Sequence, residues 1–134
     1  MLAPTVDTIR LTLHVLAAAV WVGGQIVMVG LVGPARGLGA DAPKTLARAF
    51  ARLAWPAYVV LLVTGVWNVT AVGYSSMDAA WKAVLMAKIA VVVLAGLGVL
   101  LHQRATTKRG LAVWGSVGGL ASVVALVMGI LLAG

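Results

Sequence analysis

The amino-acid sequence predicts an all-α integral membrane protein, a four-helix up-down bundle forming one domain over residues 1–134. Three observations predict it. Hydrophobic residues make up 63% of the chain and charged residues 10%, with a mean hydropathy of +1.10, whereas soluble domains run at roughly 45–50% apolar and about 25% charged. A chain this short has no core large enough to hide that excess, so the surrounding solvent is lipid. The apolar residues fall in segments near the ~20 residues that cross hydrocarbon as a helix. The basic residues collect in the short connections between them.

The segments are Ile9–Val32, Pro56–Val72, Ala79–Leu101 and Leu111–Ala133. Lipid offers backbone groups no partner, and the segments are too long for barrel strands, so they read as helices. The first is longer than the ~7–15 residue core of a cleavable signal and no basic cluster precedes it, so it reads as a retained span. Gly33-Pro34 is expected to stop it. Next, Ala42–Trp55 places Lys44, Arg48 and Arg52 on one face and Leu46, Phe50 and Leu53 on the other. That pattern fits a helix lying in the interface or one continuing into the second span, with Asp41 as N-cap. Gly73 with Ser75-Ser76 separates the second span from the third. In the fourth, Gly115, Gly118, Ser122, Ala125, Gly129 and Ala133 form a small-residue face. It serves either packing against the other helices or a homodimer seam.

Charge sets the orientation. Arg36, Lys44, Arg48, Arg52, Arg104, Lys108 and Arg109 lie in the first and third connections, against Arg10 and Lys82 at helix edges on the other side. By the positive-inside rule the seven face the cytoplasm and both termini lie outside, as in a multi-pass protein of a bacterial-type plasma (inner) membrane. The formal charge of +7 is thus topological, and no nucleic-acid partner is expected. The absence of cysteine removes disulfides, thiolate metal sites and cysteine nucleophiles. Walker, dinucleotide and Ser-His-Asp patterns are missing. The three acids, Asp7, Asp41 and Asp78, sit near helix ends, which argues against a carboxylate-lined channel.

Polar residues inside a bilayer are candidates for function because they are expensive there. On the first helix, His14, Trp21, Gln25 and Met28 are spaced for one face; the second offers Thr64 and Asn68 one turn apart; the third has Trp81, Lys88 and His102 in one stripe. Counting ~1.5 Å per residue, His14 and Lys88 lie in the outer half of their helices and His102 at the opposite end. An outer-leaflet pocket of His14, Trp21, Thr64, Asn68, Lys88 and Met128 is therefore expected. Lys88 is the strongest signal, as its ammonium either enters that pocket or snorkels along its stem to the interface. His14 is either a ligand or an interior histidine satisfied by a neighbouring helix. His102 reads as a solvated end residue.

The run from Leu13 and His14 through Ala17-Ala18-Ala19 to Trp21-Val22-Gly23-Gly24 resembles the opening helix of the copper-resistance D (CopD) membrane domain. So do Thr64-Gly65, and Leu85-Met86-Ala87-Lys88 leading to Gln103-Arg104, where that family usually shows Asn-Arg. The resemblance covers about the first 105 residues. It implies copper handling at an outer site around His14, with methionines such as Met128, Met86 or Met77 assisting Cu(I) and Lys88 setting local charge. His14/Trp21, Pro56, Thr64-Gly65 and Trp81/Lys88 are also similar to the four-helix HemJ-type protoporphyrinogen oxidases. That resemblance implies haem b with His14 as axial ligand, Lys88 meeting a propionate or porphyrin, and Gly23, Gly24 and Gly65 leaving room for the macrocycle. This chain departs from that family at Val22-Gly23, where it usually shows Phe-Ala, and at Ala18, where it often places a methionine. Copper is the leading expectation and haem b the alternative. A small structural subunit is a third reading, and enzyme and carrier both stay open.

The charge asymmetry makes a direct prediction. Cysteines introduced at Ser75 and Thr107 should react with an impermeant thiol reagent from opposite faces of the membrane. Reaction from the same face would break the four-span topology.

Overall fold

The computed structural model describes residues 3–134, and these are helical apart from short turns, without strands. Four helices are long and apolar enough to cross a membrane: α1 (Val6–Arg36), α2 (Ala42–Val72), α3 (Ala79–Arg104) and α4 (Lys108–Ala133). The all-α, four-helix architecture is the one the sequence predicts, and every helix is longer than its apolar core. The chain divides into two compact units, Met1–Gly73 and Tyr74–Gly134, each a pair of antiparallel helices.

In the first unit, α1 begins at a capping box. The Thr5 hydroxyl accepts from the Thr8 amide at 3.2 Å while the Thr8 hydroxyl accepts from the Thr5 amide at 3.2 Å, satisfying donors that a helix start leaves open. Gly33-Pro34 does not stop this helix. It runs on to Arg36, because a proline removes only its own N–H, and the closing turn is made by Gly37 and Leu38 amides donating to Pro34 and Ala35 carbonyls. A π-helical turn, Ala19–Gly23, interrupts α1. Such a turn inserts about one extra residue, so the uninterrupted periodicity that put His14, Trp21, Gln25 and Met28 on one face does not hold across it.

The amphipathic stretch continues directly into the second span. The resulting α2 has 31 residues, about 46 Å at the helical rise, which leaves the Lys44–Arg52 portion beyond ~30 Å of hydrocarbon. The Asp41 side chain does not cap it; instead the Asp41 carbonyl accepts from the Thr45 amide at 3.0 Å and the Thr45 hydroxyl at 3.1 Å. Gly73 ends α2 at φ +74°, a left-handed conformation that glycine adopts without Cβ strain. The 3₁₀ turn Tyr74–Ser76 follows.

The second unit opens with Asp78, whose Oδ1 accepts from the Trp81 amide at 2.7 Å, and α4 opens with Thr107 accepting from the Gly110 amide at 3.0 Å. The small-residue face of α4 is used inside this unit, against α3. A Cβ on Gly98 would stand 2.6 Å from the Gly118 nitrogen, and one on Gly118 would stand 2.9 Å from the Val99 nitrogen, so the two backbones touch. Ser122 is buried and donates to the Gly118 carbonyl of its own helix at 2.7 Å. Ring N–H groups clasp both ends of the pair: Trp81 Nε1 donates to the Leu132 carbonyl at 3.1 Å, and His102 Nδ1 donates to the Leu111 carbonyl at 2.8 Å.

Across the described residues the buried apolar set is mostly alanine (Ala17, Ala35, Ala54, Ala95, Ala121, Ala125), with Trp21, Val22 and Leu85. Large aliphatics such as Val15, Ile26, Val29, Leu120, Ile130 and Leu131 point outward. This small-inside, large-outside order is that of helices in lipid, where tails solvate leucine as well as another helix does and close backbone approach supplies the contact.

The Gly98–Gly118 contact is directly testable. Gly98→Ala pushes a methyl into backbone that cannot rotate away and should cost about 1–3 kcal/mol, read as a fall in thermal stability in detergent. Gly119→Ala, where a Cβ meets nothing within 4 Å, should be neutral or stabilising through helix propensity. Equal effects would contradict the packing described.

Candidate functional site

The polar interior of the first unit is built on the α1/α2 pair. His14 Nδ1 lies 2.7 Å from the Thr64 hydroxyl oxygen, and that hydroxyl lies 2.6 Å from the Val60 carbonyl of its own helix. A hydroxyl has one hydrogen. The Val60 carbonyl can only accept, so Thr64 donates to it, and His14 Nδ1 must then donate to Thr64. The arrangement selects the Nδ1–H tautomer and puts the imidazole lone pair on Nε2. Thr64 is buried at 3% exposure, so this relay is shielded from competing water. His14 is thus held by a neighbouring helix and at the same time presented in the tautomer that a metal ligand needs; the two readings of this residue are compatible.

Trp21 is buried in an aromatic group rather than lining open space beside His14. Its ring centroid lies 4.6 Å from that of Tyr58 and 5.5 Å from that of Trp55, the latter edge-on, separations at which aromatic pairs attract. The π turn sets this position, and Gln25 Nε2 donates to the Trp21 carbonyl at 2.9 Å where the helix ladder is disturbed. Of the three glycines expected to leave room for a macrocycle, Gly24 is covered by the Phe50 ring. A Cβ on Gly23 meets nothing within 4 Å, and one on Gly65 would stand 3.9 Å from His14 Cε1. Asn68, one turn beyond Thr64, is half-buried with its Oδ1 out of solvent.

Lys88 and Met128 belong to the second unit. The Lys88 ammonium lies over Gly129, close enough that a Cβ there would be 2.9 Å from Nζ. The pairings of Gly98 with Gly118 and of His102 with Gly115 define the antiparallel register of α3 and α4, and in it Gly129 stands level with Lys88. The ammonium therefore stays near its own depth instead of climbing its stem toward the helix end. No hydrogen bond or ion pair to it is formed among the described residues. Met128 is half-buried beside Gly129. His102 is not a solvated end residue: it is half-buried, bonded to the Leu111 carbonyl and packed on Gly115. Its N–H finds the backbone because Gly115 has no side chain to cover it.

Charge counting assigned Arg10 to a helix edge, yet it is 6% exposed. Its position four residues before His14 was the available signal, since residues one turn apart share a face. Trp55 and Tyr58 were likewise missed, because aromatic residues near a span end look like interfacial anchors. No family model, curated protein or solved structure matches the chain.

Lys88 offers the next test. Lys88→Met keeps the stem and removes a half-buried charge, so thermal stability in detergent should be unchanged or raised. Lys88→Arg puts a broad planar group where a compact ammonium rests on glycine and should lower it. A large loss in Lys88→Met would instead reveal a partner that the ammonium holds.

Proposed function

We propose that this chain is a membrane metal-centre protein in which His14 is the protein ligand, and that the group it holds is haem b in a redox role. The observation that carries this reading is the His14–Thr64–Val60 relay. Metal-bound histidines characteristically donate the second ring N–H to an acceptor that fixes tautomer and orientation, and here that acceptor is a buried hydroxyl with its own hydrogen already committed. One imidazole supplies one metal bond. A porphyrin brings four nitrogens of its own, so a single histidine between helices is a sufficient protein contribution, and helical bundles commonly hold cofactors this way. Gly65 leaves the Cε1 edge of the imidazole against bare backbone, where a Cβ would stand 3.9 Å from it.

Copper is the second reading, favoured by the order of the CopD-like residues. Cu(I) prefers soft sulfur alongside imidazole, so it would need methionine sulfur in addition to His14. A location in a bacterial-type inner membrane with both termini outside belongs to this proposal in either form, as does a homodimer. The α4 small-residue face is largely occupied by α3, so a dimer would use another surface.

Colour and metal content separate the readings. Purified wild type should show a Soret band that His14→Ala abolishes and His102→Ala retains, because His102 stands in the last turn of α3 beside the connection to α4. Stoichiometric copper without a Soret band would select the copper reading. Neither metal in folded wild type would remove the metal centre altogether.

A further inference from the structure

The His14–Thr64 relay leaves other buried polar atoms of the first unit unused. Arg10 lies one turn from His14 toward the start of α1, and its side chain is 8% exposed. Its Nη2 meets Asp7 Oδ1 at 3.0 Å, an acid that is itself 71% exposed. Its Nε and Nη1 are buried without a hydrogen-bond partner among the described residues. On α2, Asn68 lies one turn from Thr64 toward the helix end, and its buried Oδ1 also lacks a partner among them. The pairings of Trp21 with Tyr58 and His14 with Thr64 show that two turns back along α1 meet about two turns forward along α2. The same register brings Arg10 and Asn68 to one level.

Unfilled donors on a buried guanidinium beside an unfilled acceptor are rare in folded proteins and point to a group that supplies both complements. The level at which they lie identifies its source. Arg10 is four residues inside Val6 and Asn68 four residues inside Val72, about 6 Å from each helix end, where phospholipid headgroups meet the hydrocarbon. The open Nε–H and Nη1–H groups of a cationic guanidinium suit phosphate oxygens, and Asn68 Oδ1 accepts from a hydroxyl. We propose that Arg10 and Asn68 form a headgroup site for an anionic phospholipid carrying a hydroxyl, of phosphatidylglycerol type, with its phosphate on Arg10 and a glycerol hydroxyl donating to Asn68. The site uses none of the atoms assigned to metal binding.

The test is lipid binding by native mass spectrometry and thermal stability, with the full chain in neutral detergent. The probes are phosphatidylglycerol, phosphatidylmethanol (anionic, no headgroup hydroxyl), phosphatidylcholine and inorganic phosphate. Wild type should prefer phosphatidylglycerol over phosphatidylcholine by about tenfold or more, the scale of a charge-assisted hydrogen bond. Arg10→Gln should abolish that preference. Asn68→Leu should keep a preference for anionic lipid but lose the one for phosphatidylglycerol over phosphatidylmethanol. Should Arg10→Gln not fold, Asp7→Asn decides: removing an exposed carboxylate that competes for the guanidinium should strengthen phosphatidylglycerol binding. Equal binding of phosphatidylglycerol and phosphatidylcholine by wild type, an unaltered or weakened Asp7→Asn, or full stabilisation by inorganic phosphate alone would each overturn the lipid site.

Discussion

Close contact between helix backbones is the constraint on which the rest of this structure depends. In lipid, burying leucine against another helix gains little over leaving it among acyl chains, so helices hold together where small residues let main chains meet and polar groups bond across. The contact of Gly98 with Gly118 does this for α3 and α4. It fixes the register that lays the Lys88 ammonium over Gly129 and the His102 ring over Gly115. In both places glycine makes the room, and a polar side chain from the facing helix fills it.

The first unit solves the same problem with different chemistry. Alanines at Ala17, Ala35 and Ala54 are buried, and one strong side-chain hydrogen bond, His14 to Thr64, crosses between helices near one end while the Trp21, Trp55 and Tyr58 rings pack further along. With its own proton spent on Val60, the Thr64 hydroxyl has only lone pairs left to offer His14. An arrangement that stabilises the helix pair therefore also chooses which imidazole nitrogen carries the lone pair. Helix pairing and the choice of tautomer are served by one contact, as expected where polar groups must find partners inside the protein.

The π turn at Ala19–Gly23 couples these parts. By inserting extra backbone between His14 and Trp21 it lets the imidazole meet Thr64 while the indole turns into the aromatic group. The disturbed ladder is repaired locally by Gln25. Without it, the spacing in the sequence would hold both residues to one α-helical stripe.

Segment length and hydropathy alone determined the helix number and the all-α class, because a lipid-facing helix must be apolar around most of its circumference over a fixed span. Gly73 was legible as a terminator since its left-handed conformation demands glycine, and His14, Thr64, Asn68 and Lys88 stood out because polar groups are costly at membrane depth. Other features were settled by tertiary structure. Asp41 marks the start of α2 as its N-cap residue without its side chain closing the bond, whereas Gly33-Pro34 carries a usual stop signal that α1 runs past to Arg36. Whether Arg10 is a topological charge or a buried donor, and whether Lys88 rises to the interface or lies across Gly129, depends on which surface the facing helix presents. A one-dimensional pattern records that a polar residue is present at a given depth; only the register of packed helices decides which atom it meets.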